Sequence, residues 1–413
     1  MIACLEGFKE KAEYLLQNGA MVNKSCNNGC TALHYACTKH HRNTLGLIKM
    51  LINYNATIDA LNSDGKTPLL NASLLCDEES CAYLIECNPK EVYHVDKKGF
   101  TSLHYACFSG KSILVDMLLS FNVNLNTRSR NGITPLYMAC VQNHKDIAMN
   151  LLKHGAVNYL EHEDRNCLHA AVLDENKELV KILLKYEANV DIQDSGGRTA
   201  LHVASMKGTF EIVKLLVLHN ATINLQNNRG DTPLHFACKG GHDKIVEFLF
   251  LQKALLKLND DNASPLHHTC RNGNKVLSEI LISQGANINQ RTKKGVTPLH
   301  EACNQKQPDL VQLLIQNHSE INHGDNKGIA PLHIACWRGN TGIITELIQQ
   351  GVHIDNQTID GESALLLACS EDMLQQYNFS YDTTQTQIYL IKGFDANVCC
   401  VFLRGYCHST YLS

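Results

Sequence analysis

The chain has 413 residues, and 37 Lys and Arg against 41 Asp and Glu leave a formal charge of −4. That near balance excludes a global cationic field for nucleic acid, and the longest apolar runs fall far short of the about eighteen residues a spanning helix requires, so no direct membrane insertion is expected. A single core would be strained at this length, whereas an array of stacked units grows without that limit.

The first elements fall in residues 1–25. Ala3-Cys4-Leu5-Glu6-Gly7 and Leu15-Leu16-Gln17-Asn18-Gly19-Ala20 match the back half of the units that follow, which predicts a partial repeat and a chain that is a fragment of something longer. The main array, 26–398, is built on Thr-Pro-Leu-His or a close variant beginning at Thr31, Thr67, Thr101, Thr134, Asn166, Thr199, Thr232, Ser264, Thr297, Ala330 and Ser363. From Thr101 onward every step is 32 or 33 residues, and an insertion of three falls near Lys39–Thr44. A period of that length marks supersecondary units that bury their apolar faces only by stacking.

Each copy opens with a turn. Gly usually stands two residues before the Thr, as Gly99 and Gly230 do, and Asp164 or Asn262 replaces it where a left-handed residue is still needed. Thr is then a helix N-cap, Pro fits the first helical position, and His at the third position reaches back to the cap. Leu never varies across the eleven copies, from Leu33 to Leu365, as a core anchor should not. A second helix follows, with Glu178–Lys185 and Glu211–Leu218 showing a buried apolar stripe. Its expected left-handed stops are Gly155, Gly285 and Gly351, or Asn55, Asn88, Asn122 and Asn220. Near the C-terminus Tyr389–Val398 repeats the pattern of Lys181–Val190 but lies too far from its motif, so an insertion is predicted over 373–386, followed by a tail over 399–413.

These units closely resemble the ankyrin repeat, a β-turn plus two helices with Thr-Pro-Leu-His-x-Ala at the first helix, over about residues 3–398. The resemblance implies an all-α solenoid of about eleven full repeats plus a partial N-terminal one, with first helices and turn fingers lining a concave face that binds proteins.

Eighteen cysteines do not make a disulfide scaffold. Cys4, Cys37, Cys107, Cys140, Cys238, Cys270, Cys303, Cys336 and Cys369 follow the repeated Ala in a small buried slot, which fits reduced thiols in the cytoplasm. Cys26, Cys30, Cys37, His40 and His41 have a metal-like spacing, but finger tip and helix end are held apart in such a unit, against the tetrahedral geometry of zinc. Cys399, Cys400, Cys407 and His408 are read as an ordinary tail. The motif histidines, placed identically, are structural, and the Asn-x-Ser/Thr triplets at Asn55, Asn71, Asn220 and Asn262 fall in structured positions. No cofactor, metal or enzyme activity is expected.

Partner residues are sought where the repeat leaves freedom: beside the turn Gly and in the two residues after the Ala-Cys pair. Phe100, Phe108, Ile133 and Val141 form a candidate apolar strip over two repeats. From Thr199 to Thr297 the same slots hold Arg198, Lys207, Arg229, Lys239, Arg271, Lys293 and Lys294 against Asp231, Asp260 and Asp261, a local +4 suited to an acidic or phosphorylated protein segment. Trp337, the only tryptophan, and Arg338 occupy these slots again, and both residue types are enriched at interface hot spots. The leading expectation is a non-enzymatic cytoplasmic scaffold for protein partners. The alternatives are the cytosolic region of a membrane channel or membrane-skeleton adaptor, since Asn131–Ala139 is similar to a segment of the large spectrin-linking ankyrins, and a ubiquitin-ligase substrate receptor, whose adaptor box Val401–Ser413 does not resemble.

Overall fold

The computed structural model describes residues 1–38, 43–75, 77–157, 166–305 and 307–368. The reading of Asp164, Cys369, the 373–386 insertion and the 399–413 tail therefore lies outside the described residues, as does most of the small insertion near Lys39–Thr44. Contacts divide the chain into two compact units, one of Met1–Ala204 with Glu211–Ala221, the other of Ser205–Phe210 with the chain from Thr222. Within each unit helices come in pairs, such as Ser102–Ser109 with Ser112–Ser120 and Pro298–Cys303 with Pro308–Gln316, and first helices pack on those of the next repeat, as Ser102–Ser109 does on Pro135–Val141 and Pro265–Arg271 on Pro298–Cys303. No helix among the described residues is long and apolar enough to cross a membrane.

The pairs form where the chain's chemistry starts and stops them. At Thr101 the hydroxyl accepts the His104 N–H at 3.3 Å while His104 Nδ1 accepts the Thr101 N–H at 3.1 Å, a reciprocal cap repeated at Thr232, Ser264 and Thr297. Pro is the first helical residue at Pro135, Pro233, Pro265, Pro298 and Pro331. The motif leucines from Leu33 to Leu332 are at most 1 % exposed and form the spine of the core. Leu365 departs from the expected anchor role: it is 36 % exposed, in the last described turn. Second helices complete the core with stripes such as Leu179, Val180, Leu183 and Leu184.

Stops follow the expected pattern with one correction. Asn55, Asn122, Asn220, Gly155, Gly285 and Gly351 all have positive φ, but Asn88 sits at φ −146° and leads into a 3-10 helix, Pro89–Tyr93. The following proline disfavours a compact conformation at Asn88 and pushes it toward extended backbone. Glu187, Lys253 and His318 instead adopt the left-handed conformation, with φ between 57° and 67°.

The finger turns are closed from within. Asp96 Oδ1 accepts the N–H groups of Lys98 and Phe100, and Asn62 and Asp325 do the same in their own fingers. Successive fingers are joined by a backbone bond: Lys97 donates to Asp64, Arg130 to Lys98, Lys293 to Asp261 and Asn326 to Lys294, at 2.8–2.9 Å. Gly99 (φ +82°) is needed twice over, because a Cβ there would lie 3.0 Å from Ser129 Cα of the next finger. Asn262 takes φ 57° in the same turn, as expected of a Gly substitute.

Candidate partner-binding surface

The motif histidines are consumed by the fold. In addition to the cap, His104 Nε2 donates to the carbonyl of Ile133 at 3.0 Å, His300 to Ile329 at 2.9 Å, and His34 to Lys66 at 3.0 Å, each acceptor lying just before the next repeat's motif. Because Nδ1 accepts a backbone N–H, Nε2 must carry the proton, and the ring is the neutral Nε2–H tautomer. Burial agrees with this: it pulls His104 down to about 4 despite Asp96 nearby, and lowers His34, His235, His267 and His300 as well. The cysteines beside the repeated Ala are equally committed. Cys37, Cys107, Cys140, Cys238, Cys270 and Cys303 are fully buried, and burial pushes the Cys270 thiol up to about 12.

What remains is the face made by finger tips and first-helix ends. Within the first unit the structure separates the four expected apolar residues into two kinds. Phe100 is half-buried, its ring 5.4 Å from His104 edge-on and 5.8 Å from Tyr105. Ile133 is half-buried too, and its backbone closes the turn onto Ser129 and receives His104. Phe108 and Val141, at the helix ends, are 40 % and 38 % exposed. Leu173, in the corresponding slot of the next repeat, is 48 % exposed. Its slot follows from the spacing of Leu168, although Val172 stands where most repeats have Cys.

In the second unit Lys207 and Lys239 are exposed, and the Arg271 guanidinium grips Glu301 of the next repeat through two bonds, Nε to Oε2 at 3.0 Å and Nη2 to Oε1. Glu301 sits one residue past the motif, a slot the charge count omitted, and it offsets one of the seven cations. Arg198 in the first unit is likewise paired with Asp194 at 2.7 Å. Half-buried His268 is lowered to about 3, by burial first and then by the neighbouring His235, Arg271, His267 and Lys239.

Trp337 is 45 % exposed at the end of its first helix. The Arg338 guanidinium lies 4.6 Å from the centre of the indole and donates through Nε to Asn304 Oδ1 at 2.7 Å. An indole facing solvent, with its cation already fixed by the adjacent repeat, is a preorganised contact. On the first fingers, Cys26 Sγ meets Tyr35 Oη at 3.4 Å and Cys30 Sγ takes Asn62 Nδ2 at 3.7 Å, while Cys37 is buried. No group of three potential metal ligands occurs among the described residues.

The ankyrin-repeat family, described as "Ankyrin repeats (3 copies)", matches residues 1–48, 42–129, 103–194, 168–260, 251–325 and 302–379. Rabankyrin-5 of Mus musculus is 34 % identical over 137 residues, 32 % of this chain and 12 % of that protein. Inversin of Canis lupus familiaris is 30 % identical over 187 residues, 43 % of this chain and 17 % of its own length. The ankyrin repeat protein OPG189 of Variola virus is 32 % identical over 135 residues, 31 % and 24 % of the two chains. The matches thus span less than a quarter of each of these relatives. Among solved structures, the human ASB11 ankyrin repeat domain aligns with a TM-score of 0.46 and 29 % identity, over 49 % of this chain and 90 % of that one.

Proposed function

The chain belongs to the ankyrin-repeat family, and from that premise we propose that it is a non-catalytic adaptor whose finger tips and first-helix ends hold partner proteins. The supporting contrast lies within each repeat. Motif Leu, His and the residue after Ala are buried and bonded, while the following residue is exposed and large at Phe108, Val141 and Trp337. The single observation that carries the reading is the Trp337–Arg338–Asn304 arrangement. Holding an aromatic and a cation in place before a partner arrives keeps the ordering cost of binding small, and Trp and Arg dominate interface energetics.

Lys207 and Lys239 suit a carboxylate or phosphate on the partner, and Arg271 joins them only by releasing Glu301. The test is affinity measured on proteins crosslinked to the full chain. Trp337→Ala with Arg338→Ala should weaken capture at least tenfold and leave the melting temperature within about 2 °C, as exposed substitutions do. Unchanged capture in that pair, with loss from Lys244→Glu on a second helix, would place the partner on the opposite face.

A further inference from the structure

We propose that the exposed face of the first unit docks an acidic amphipathic α-helix of a partner protein, its apolar residues recurring at every seventh position. The inference rests on the reading of finger tips and first-helix ends as the partner surface, and adds the partner's chemistry to it.

The apolar half of the argument is a row. Leu74, Phe108, Val141 and Leu173 each lie two residues after the repeated Ala in four consecutive repeats. Leu74 is half-buried beside Leu75, which is 45 % exposed, and the other three are 40 %, 38 % and 48 % exposed. The helix ends are tied side by side: Ser109 Oγ donates to the Leu74 carbonyl at 2.9 Å, and His144 Nε2 to that of Phe108 at 3.2 Å.

The charged half is the rim formed by the finger tips. Lys97, Lys98 and Arg130 are exposed, and no carboxylate pairs with them among the described residues. Asp64 is the one acid on the tips Ser63–Asp64, Lys97–Lys98 and Arg130–Asn131. Asp96, next to Lys97, is turned inward and 5 % exposed, where it takes the Tyr105 hydroxyl at 2.7 Å. The following finger, 158–165, lies outside the described residues. At the far end of the helices Asp77, Asp174 and Glu175 stand against Lys111, so the cationic edge is the one made by the finger tips.

Dimensions select the partner's backbone. Neighbouring helices pack about 8–10 Å apart, and an α-helix rises about 10.5 Å in seven residues. One apolar residue per heptad therefore meets one slot per repeat, and four slots call for a helix of about 22 residues. A β-strand covers one repeat in about three residues and turns alternate side chains away from the row. From cap to helix end, Thr101 to Phe108, is about 10 Å, close to the diameter of a helix. A single helix lying on the row thus brings one flank against Lys97, Lys98 and Arg130, and that flank must carry carboxylates.

The experiment uses the full chain and fluorescence anisotropy with labelled 24-residue designed peptides: a helix with Leu on one face and Glu on one flank, the same peptide with Lys for Glu, and the Glu peptide with a central Pro. The Glu peptide should bind at least tenfold tighter than either other. Its affinity should fall at least tenfold in Phe108→Asp and in the triple Lys97→Ala, Lys98→Ala, Arg130→Ala variant, and stay unchanged in Ile113→Asp, which alters an exposed second-helix residue. Far-UV circular dichroism confirms that each variant is folded. Equal binding of the Lys or Pro peptide, still lost in Phe108→Asp, overturns the acidic helix and leaves the partner face standing. Binding lost in Ile113→Asp but not in Phe108→Asp overturns both, and no binding of the Glu peptide overturns the proposal.

Discussion

Through its neutral imidazole the motif histidine joins two groups at once, the backbone N–H of its own cap and the next repeat's carbonyl. Neutrality is required for this, so protonation opposes folding. The unfolded chain binds a proton at about pH 6.5, whereas buried His104 does so at about 4. Between those values the unfolded state holds more protons, and stability falls as pH falls through the window, by up to about 1.4 kcal/mol per pH unit for each such ring. Urea midpoints measured from pH 7 to pH 5 should drop accordingly, and His104→Leu should flatten that slope while lowering stability at pH 7. Leu70, fully buried in the same slot, shows that the volume is tolerated. A second residue-scale prediction concerns Lys253, held at φ 66° where other repeats use Gly285 or Gly351. Lys253→Gly should raise stability by about 0.5–1 kcal/mol in denaturant titration, the relieved strain exceeding the added chain entropy.

At the scale of the element, finger and helix pair obey different constraints. Helix caps, Pro at the first position, the Leu anchor as far as Leu332 and most C-cap residues are local, and these were legible in the sequence. Three features were not, because each depends on a neighbour. The histidine's bond to the next repeat ends on a backbone carbonyl, which has no side chain to read. Asn88 was assigned by position, and Pro89 overrode it. Phe100 and Phe108 looked equivalent as apolar residues near the motif, yet the finger folds Phe100 onto its own helix and the helix end leaves Phe108 in solvent. The finger contact itself is testable. Gly99→Ala forces a Cβ into Ser129 at positive φ and should cost about 2 kcal/mol or more, measured by thermal or urea unfolding. Leu299→Ala, which removes a fully buried anchor, should cost about 2–5 kcal/mol.

At the scale of the molecule, repeated and unrepeated residues divide the work. The repeated ones are buried in each unit, and their number says how far the array extends rather than what it holds. Exposure at the candidate surface was only partly legible: slot position anticipated exposed Phe108, Val141, Trp337 and Arg338. Leu173 stands in the same slot and was not singled out, and Glu301 went uncounted although it grips Arg271. Charge read from slots alone overstates a field when the next repeat carries the counter-ion. The central claim is that exposed slots bind while motif residues hold the scaffold. It is tested most directly by measuring melting temperature and partner affinity together in two variants, Trp337→Ala with Arg338→Ala and His300→Leu. The account predicts that the first keeps its melting temperature and loses at least tenfold in affinity, and that the second melts several degrees lower yet binds as wild type below its transition. A surface pair that unfolds the chain while binding is kept, or a folded His300→Leu protein that no longer binds, would contradict it.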